Sequence, residues 1–275
     1  MSLDLFNKKY LVVGASSGIG RAIAILISKL NGKVVLTGRN EEKLQETLSM
    51  MSGSNHLIVR YDMNDVLGIK KFVKECMHKI GGKFDGLIFS AGIERCIPIR
   101  GENIERIREF YNVSCISYFS LLKEFSSKQV LSDGGSIVAI SSRSALFPEK
   151  GYLGYGTAKA AINAASIVAS QEFAKRKIRV NTICPEMVKT PMTEQFFCSV
   201  SQEQLNKLYP LGFLEPEDVA DLVVFLLSDL SKKFTGQNLY LSAGNAGKQG
   251  KYTSVGITML CCQNGITLRT GRQMD

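Results

Sequence analysis

Short runs rich in Val, Ile and Leu alternate with longer segments of helical period along almost the whole chain, and this alternation limits the fold more than any other feature. The strand-type runs are KYLVVG (9–14), KVVLTG (33–38), HLIVRY (56–61), DGLIFS (85–90), GSIVAIS (135–141), IRVNTIC (178–184) and NLYLS (238–242). Helix-length segments lie at 18–30, 41–50, 65–80, 104–127, 155–176 and 216–228. The runs are nearly continuous in apolar character, as expected where both faces of a parallel sheet are covered. Parallel neighbours joined through helices need right-handed crossovers. The expected fold is therefore a doubly wound α/β parallel sheet of Rossmann type, helices on both faces, as a single domain.

At 275 residues and 45% hydrophobic content the chain suits one such domain with a sizeable core. Charged residues interrupt every apolar stretch before it reaches membrane-spanning length, and the start, MSLDLFNKKYLVVG, lacks a cleavable signal pattern. Cytoplasmic residence without membrane association is the expectation. The seven cysteines are scattered with no C-x-x-C pair, which argues against a disulfide framework and against a metal site. A net charge of +9 would draw anionic partners such as phosphorylated cofactors or acidic carrier proteins. Part of it sits in Lys248, Lys251, Arg269 and Arg272, and the rest is spread out. No basic stripe with interleaved aromatics points to nucleic acid.

The core domain is expected over residues 1–247. Within it, TPMTEQFFCSVSQEQLNKLYPLGFL (190–214) breaks the rhythm and carries Phe196, Phe197, Leu205, Leu208 and Tyr209. It reads as a helical insertion packed on the core or as a lid over a cleft, and the lid is the favoured reading. Residues 248–275 read as a C-terminal extension of unassigned role.

Ligands of such sheets bind outside the carboxyl ends of the strands, so the residues after each run matter most. The first is GASSGIG (Gly14–Gly20), and it has two readings. Its first five letters fit the G-x-S-x-G elbow of a serine hydrolase, with Ser16 as nucleophile. That chemistry needs a histidine late in the chain, yet the two histidines, His56 and His78, both lie in the first third. The other reading is a phosphate cradle. Gly14 ends a strand, Gly18 and Gly20 open a helix, and Ser16 and Ser17 offer small donors beside the helix N-terminus. The spacing is G-x-x-x-G-x-G rather than the general dinucleotide G-x-G-x-x-G.

A second signal is YGTAK, with Tyr155 and Lys159 one helical turn apart on the same face. A cation beside a phenol favours phenolate and draws its pKa from about 10 toward the working pH, which suits Tyr155 to general acid–base work. Ser142 precedes Tyr155 by thirteen residues, directly after GSIVAIS, and Asn112 lies in YNVSC.

Taken together with SAG (90–92), PEMVKTPM (185–192) and the late EPEDVADLVVFLLSD and FTGQ segments, the order of motifs resembles the short-chain dehydrogenase/reductase family, in its non-extended form, over about residues 5–245. The resemblance implies an Asn112–Ser142–Tyr155–Lys159 tetrad. In it Tyr155 exchanges a proton with the substrate oxygen while hydride moves to or from the nicotinamide. Ser142 holds that oxygen, Lys159 binds the nicotinamide ribose and lowers the Tyr155 pKa, and Asn112 anchors a water relay. It also implies cofactor contacts from Gly14, Ser16, Ser17, Gly18, Ile19, Gly20, Asp62, Met63, Ser90, Ala91, Gly92, Pro185, Val188 and Thr190. Four places depart from the family's usual residues: Val13 for threonine, Ser90 for the asparagine of N-A-G, Glu186 for the glycine after Pro185, and Ser242–Ala243 for Asp-Gly.

After the second strand, where a carboxylate would accept the ribose 2′-OH of NAD, stand Gly38 and Arg39. A guanidinium in place of a carboxylate favours the 2′-phosphate of NADP, so NADP(H) is the expected cofactor and NAD(H) the alternative. The substrate class stays open between a small carbonyl or alcohol compound and a carrier-bound 3-oxoacyl group. Arg95 and Arg143 are candidate contacts for an anionic group. A non-catalytic dinucleotide-sensing protein is the remaining alternative. The resemblance further implies a homodimer or homotetramer formed through helices 104–127 and 155–176.

Overall fold

The structure, a computed structural model, describes residues 4–194, 201–245, 257–262 and 265–270. Its main sheet contains β1 (Lys9–Val13), β2 (Lys33–Thr37), β3 (Leu57–Ile58), β4 (Phe84–Phe89), β5 (Leu131–Ile140), β6 (Arg179–Pro185) and β7 (Asn238–Leu241). All pairings are parallel, in the order β3-β2-β1-β4-β5-β6-β7. The chain leaves β1 toward β2 and β3, then crosses back to β4, so the winding reverses between β1 and β4. That reversal opens the crevice in which ligands of doubly wound sheets bind.

Side chains alternate between two cores, which is why the runs read as continuously apolar. From β1, Leu11 and Val13 enter one buried cluster, whereas Tyr10 and Val12 enter the other. The first cluster packs under α3 (Ile69–Ile80), α5 (Ser117–Phe125) and α6 (Leu153–Phe173); the second packs under α1 (Gly18–Lys29) and the late helix Pro216–Leu227. Remaining helices are α2 (Glu41–Ser49), α4 (Ile104–Phe110) and α7 (Gln202–Leu208), so that Pro216–Leu227 is α8.

Three elements differ from expectation. Only Leu57–Ile58 of HLIVRY pair as a strand, although Val59 and Tyr61 still donate to the carbonyls of Leu36 and Gly38, as on a sheet edge. β5 begins at Leu131, pairing with Phe84 ahead of a register shift. The segment 104–127 is not one helix: a π-helical turn, Tyr111–Ile116, separates α4 from α5 and contains Asn112. Such turns insert one residue into a helix and redirect its side chains.

Arg179, at the start of β6, is buried and donates to the carbonyls of Leu226, Leu227 and Ser228 and to Ser231 Oγ. It thereby satisfies the open C-terminal carbonyls of α8, with charge-assisted bonds worth about 1.5–3 kcal/mol each. His56 is a core residue: its ring bonds the Val34 amide (3.3 Å) and the Ser52 carbonyl (2.7 Å). In the C-terminal extension, β8 (Ile257–Cys262) and β9 (Gly265–Thr270) form an antiparallel hairpin not anticipated from periodicity. Phe196 and Phe197 lie outside the described residues. No described helix is long and apolar enough to cross a membrane.

Candidate active site

A cleft of about 1480 Å³ opens over the carboxyl ends of β1, β4, β5 and β6. Every expected site residue lines it except Gly20 and Asn112. Gly20 stands behind the cradle, where a Cβ would lie 2.1 Å from the Gly14 carbonyl oxygen. Gly14, at φ +85°, leaves no room for a side chain either, since a Cβ would come within 2.8 Å of the Ser90–Ala91 backbone. Glycine is thus required at both places by close approach, and at Gly14 by φ as well.

The amino end of α1 faces this cleft with its first N–H groups uncapped: Ser17 makes no side-chain cap bond, and no acidic residue occupies the first turn. By contrast, Asn40 caps α2, Asn103 caps α4, and Glu215 with Asp218 forms a capping box on α8. An uncapped helix start at a strand–glycine–helix turn is an anion site by construction. Gly38 opens the space next to it, where a Cβ would meet Ser16 Oγ at 3.4 Å, and exposed Arg39 follows at the cleft wall. Arg60, not anticipated from the sequence, donates from Nε to the Arg39 carbonyl at 2.9 Å.

Ser142, Tyr155 and Lys159 meet at the far end, beyond Ser90 and Gly92. Ser142 follows β5, accepts from the Ser144 amide, and hydrogen-bonds the Tyr155 phenol. Gly156 allows the start of α6 to press against Ser144, with 3.2 Å from a would-be Cβ to the Ser144 carbonyl oxygen. Lys159 is only 4% exposed, and its Nζ donates to the Ile140 carbonyl at 2.8 Å. Burial pulls its pKa down to about 8, partly opposed by Cys184 and Glu94.

One expectation is corrected here. Lys159 does not draw the Tyr155 phenol down: burial pushes Tyr155 well up, Glu94 adds to this, and the Ser142 hydrogen bond pulls the other way. The physical reason is that the ammonium points to the Ile140 carbonyl and lies 5.9 Å from the Tyr155 ring centre. Asn112 sits in the π-helical turn, where its amide donates to Asn64 Oδ1 at 3.1 Å.

Two other polar groups at the cleft, Ser114 and Glu94, escaped the sequence reading. Ser114 Oγ is buried without a hydrogen-bond partner, near the space beside Gly92 and Lys159. Glu94, directly after the SAG turn and Ile93, lines the cleft and hydrogen-bonds the Tyr152 hydroxyl; burial raises its pKa. Glu186, the residue that departs from the family's glycine, is buried and pairs with Arg143 Nε at 2.7 Å. It also accepts from Tyr240 (2.5 Å) and Tyr209 (3.3 Å), while Arg143 Nη1 pairs with Glu149 at 2.5 Å. Arg95 pairs with Glu109 at 3.0 Å. The two arginines read as anion contacts are therefore both engaged with carboxylates.

The family that matches this chain, over residues 14–246, is described as enoyl-(acyl carrier protein) reductase. A 3-oxoacyl-[acyl-carrier-protein] reductase of Rickettsia conorii is 33% identical over 248 residues, covering 88% of this chain and 98% of the relative. A glucose 1-dehydrogenase of Gluconobacter oxydans is 32% identical, covering 86% and 91%. A solved dehydrogenase/reductase of Sinorhizobium meliloti 1021 superposes with a TM-score of 0.82 at 29% identity, over 90% of this chain and 98% of that one. The chain belongs to the short-chain dehydrogenase/reductase family. This member is accordingly an oxidoreductase of CH–OH and C=O groups that uses a nicotinamide dinucleotide.

Proposed function

We propose that this family member is an NADP(H)-dependent oxidoreductase acting on a carbonyl or secondary-alcohol substrate, with Tyr155 as general acid and base. The observation that carries the reading is the convergence of Ser142, Tyr155 and Lys159 on the end of a cleft whose other end is the uncapped start of α1. The cradle fits a dinucleotide: free N–H groups and Ser16–Ser17 suit the pyrophosphate, Asp62 and Met63 the adenine side, and Val188 and Thr190 the nicotinamide side. When bound, the nicotinamide supplies or accepts the hydride.

The protein's own contribution is proton handling and placement. Ser142 Oγ and Tyr155 Oη hold the substrate oxygen between them. Tyr155 Oη gives its proton to the oxygen during reduction and takes it back during oxidation. The high phenol pKa keeps Tyr155 protonated in the reducing direction. Lys159, held by the Ile140 carbonyl, keeps a positive charge beside the site below about pH 8.

Arg39 favours NADP(H), since its guanidinium is suited to a 2′-phosphate and Gly38 offers no carboxylate to repel one. Residues 190–214 act as a lid: Leu208 and Tyr209 line the cleft, Tyr209 reaches Glu186, and a Val188–Leu214 bridge anchors its base. A homodimer or homotetramer, formed through the helices within 104–127 and 155–176, is carried over from the family resemblance alone.

Calorimetric titration with NADPH, NADH and their oxidised forms tests the reading. Tight NADP(H) binding that weakens at least tenfold in Arg39→Ala is expected. Preference for NADH removes the cofactor assignment, and no binding of any dinucleotide favours a non-catalytic role.

A further inference from the structure

A carbonyl oxygen of the glycine turn that faced the cleft would repel a pyrophosphate, and those of Gly14, Ala15 and Ser16 are all engaged elsewhere. The Gly14 oxygen lies against the start of α1, 2.1 Å from where a Cβ on Gly20 would sit. The Ala15 oxygen lies 2.9 Å from the buried Thr47 hydroxyl, which the Lys43 carbonyl shares at 3.0 Å. The Ser16 oxygen accepts from Arg21 Nη2 at 2.8 Å. Neither Arg21 nor Thr47 lines the cleft, so both carbonyls are drawn away from it. The amides of Ser16, Ser17, Gly18 and Ile19, by contrast, donate to no backbone carbonyl among the described residues. The turn offers the cleft its N–H groups and withholds its oxygens.

Arg21 and Thr47 act as one clasp. Arg21 Nε donates to Thr47 Oγ1 at 3.0 Å, which leaves the Thr47 hydrogen to the carbonyls. Arg21 Nη2 also reaches the Lys43 carbonyl (3.3 Å) and exposed Glu46 (2.8 Å). Arg21 thereby joins α1, whose start is the anion site, to α2, which begins two residues after Arg39. Glu46 offsets the guanidinium charge, so what the arginine contributes is chiefly its rigid fork of donors.

We infer that Arg21 is a positioning residue for the dinucleotide pyrophosphate: held by Thr47 and Glu46 outside the cleft, it turns the Ser16 carbonyl away so that the amides at the start of α1 face the phosphates. The inference rests on the nicotinamide-dinucleotide reading above and extends it to a residue behind the cleft. Without Arg21 the Ser16 carbonyl loses its charged donor and is free to swing toward the anion. The cost falls on the pyrophosphate, not on the adenosine side that Arg39 serves.

The test is calorimetric titration of the full chain with NADPH and with adenosine 2′-monophosphate, which keeps the adenine, ribose and 2′-phosphate but lacks the pyrophosphate. In Arg21→Gln the Kd for NADPH should rise about tenfold, the scale of one charge-assisted hydrogen bond, while that for the monophosphate changes less than twofold. Arg21→Lys keeps the charge but not the fork and should recover only part of the loss. Full recovery would make the guanidinium a plain charge and overturn the positioning role. Proportional weakening of both ligands, the mark of a merely structural loss, would overturn it as well, and so would an unchanged NADPH affinity. Should Arg21→Gln fail to fold, Thr47→Val keeps the side-chain shape, removes the hydroxyl, and should give the same split between the two ligands. Preference of the wild type for NADH would overturn the NADP(H) assignment alone, the comparison then running with NADH and adenosine. Binding of no dinucleotide by the wild type would overturn the cofactor reading and this inference together.

Discussion

Arg143 Nε lies 2.7 Å from Glu186 Oε1, and this pair of a half-buried arginine and a buried carboxylate ties the segment after β5 to the segment after β6. Tyr209 brings the 190–214 segment to the same carboxylate. Glu186→Gln would keep the shape and remove the charge, leaving Glu149 as the carboxylate paired with Arg143. We expect a loss of about 2 kcal/mol in urea unfolding, the scale of a hydrogen bond to a charged group. An unchanged midpoint would mean that solvent already screens the pair.

Lys159 makes the site less stable for the sake of its charge. Its pKa falls from 10.5 to about 8 on folding, chiefly through burial. Between those values the unfolded chain binds more protons than the folded one, so this group's contribution to stability rises with pH there and is flat below about pH 8. At about 1.4 kcal/mol per pH unit the full swing is on the order of 3 kcal/mol. Lys159→Met should therefore be inactive yet more stable than the wild type at pH 7, with the gap narrowing as pH climbs from 8 toward 10. A gap independent of pH in parallel denaturation series would contradict this.

Two glycines near the cradle should differ sharply. Gly20→Ala would push a methyl to 2.1 Å from the Gly14 carbonyl, forcing apart the turn and the helix start. A cost of about 3 kcal/mol is expected, together with loss of dinucleotide affinity. Gly38→Ala meets Ser16 Oγ at an ordinary 3.4 Å and should shift the melting temperature little. Thermal melts of both variants decide the point.

Tyr155→Phe should lower turnover by about a thousandfold, the scale of a positioned general acid, while NADP(H) affinity changes less than threefold. Calorimetry beside an absorbance assay separates the two quantities. Equal losses in both would assign Tyr155 to cofactor binding rather than proton transfer.

The glycine turn and the Tyr155–Lys159 pair were legible because their geometry is local. Seven consecutive residues define a strand–turn–helix junction, and a four-residue spacing places two side chains on one helix face. The direction in which Lys159 points was not legible, since the Ile140 carbonyl that captures it belongs to another strand. Asn112 shows the same limit: a helical pattern over 104–127 cannot announce the π-helical turn that carries its amide to Asn64. The contacts of Glu94 and Glu186 were not legible, because their partners, Tyr152, Arg143, Tyr209 and Tyr240, come from other places in the chain.

By itself the sequence determined the layered α/β fold, since alternating apolar runs and helical segments can bury both sheet faces in few other ways, and it determined the motifs whose parts lie within one turn of each other. Tertiary structure decided the electrostatics of the cleft. The pKa of a buried lysine, the direction of its ammonium and the commitment of each arginine to a carboxylate all depend on desolvation and on partners remote in sequence. Those quantities exist only once the strands have brought their carboxyl ends together.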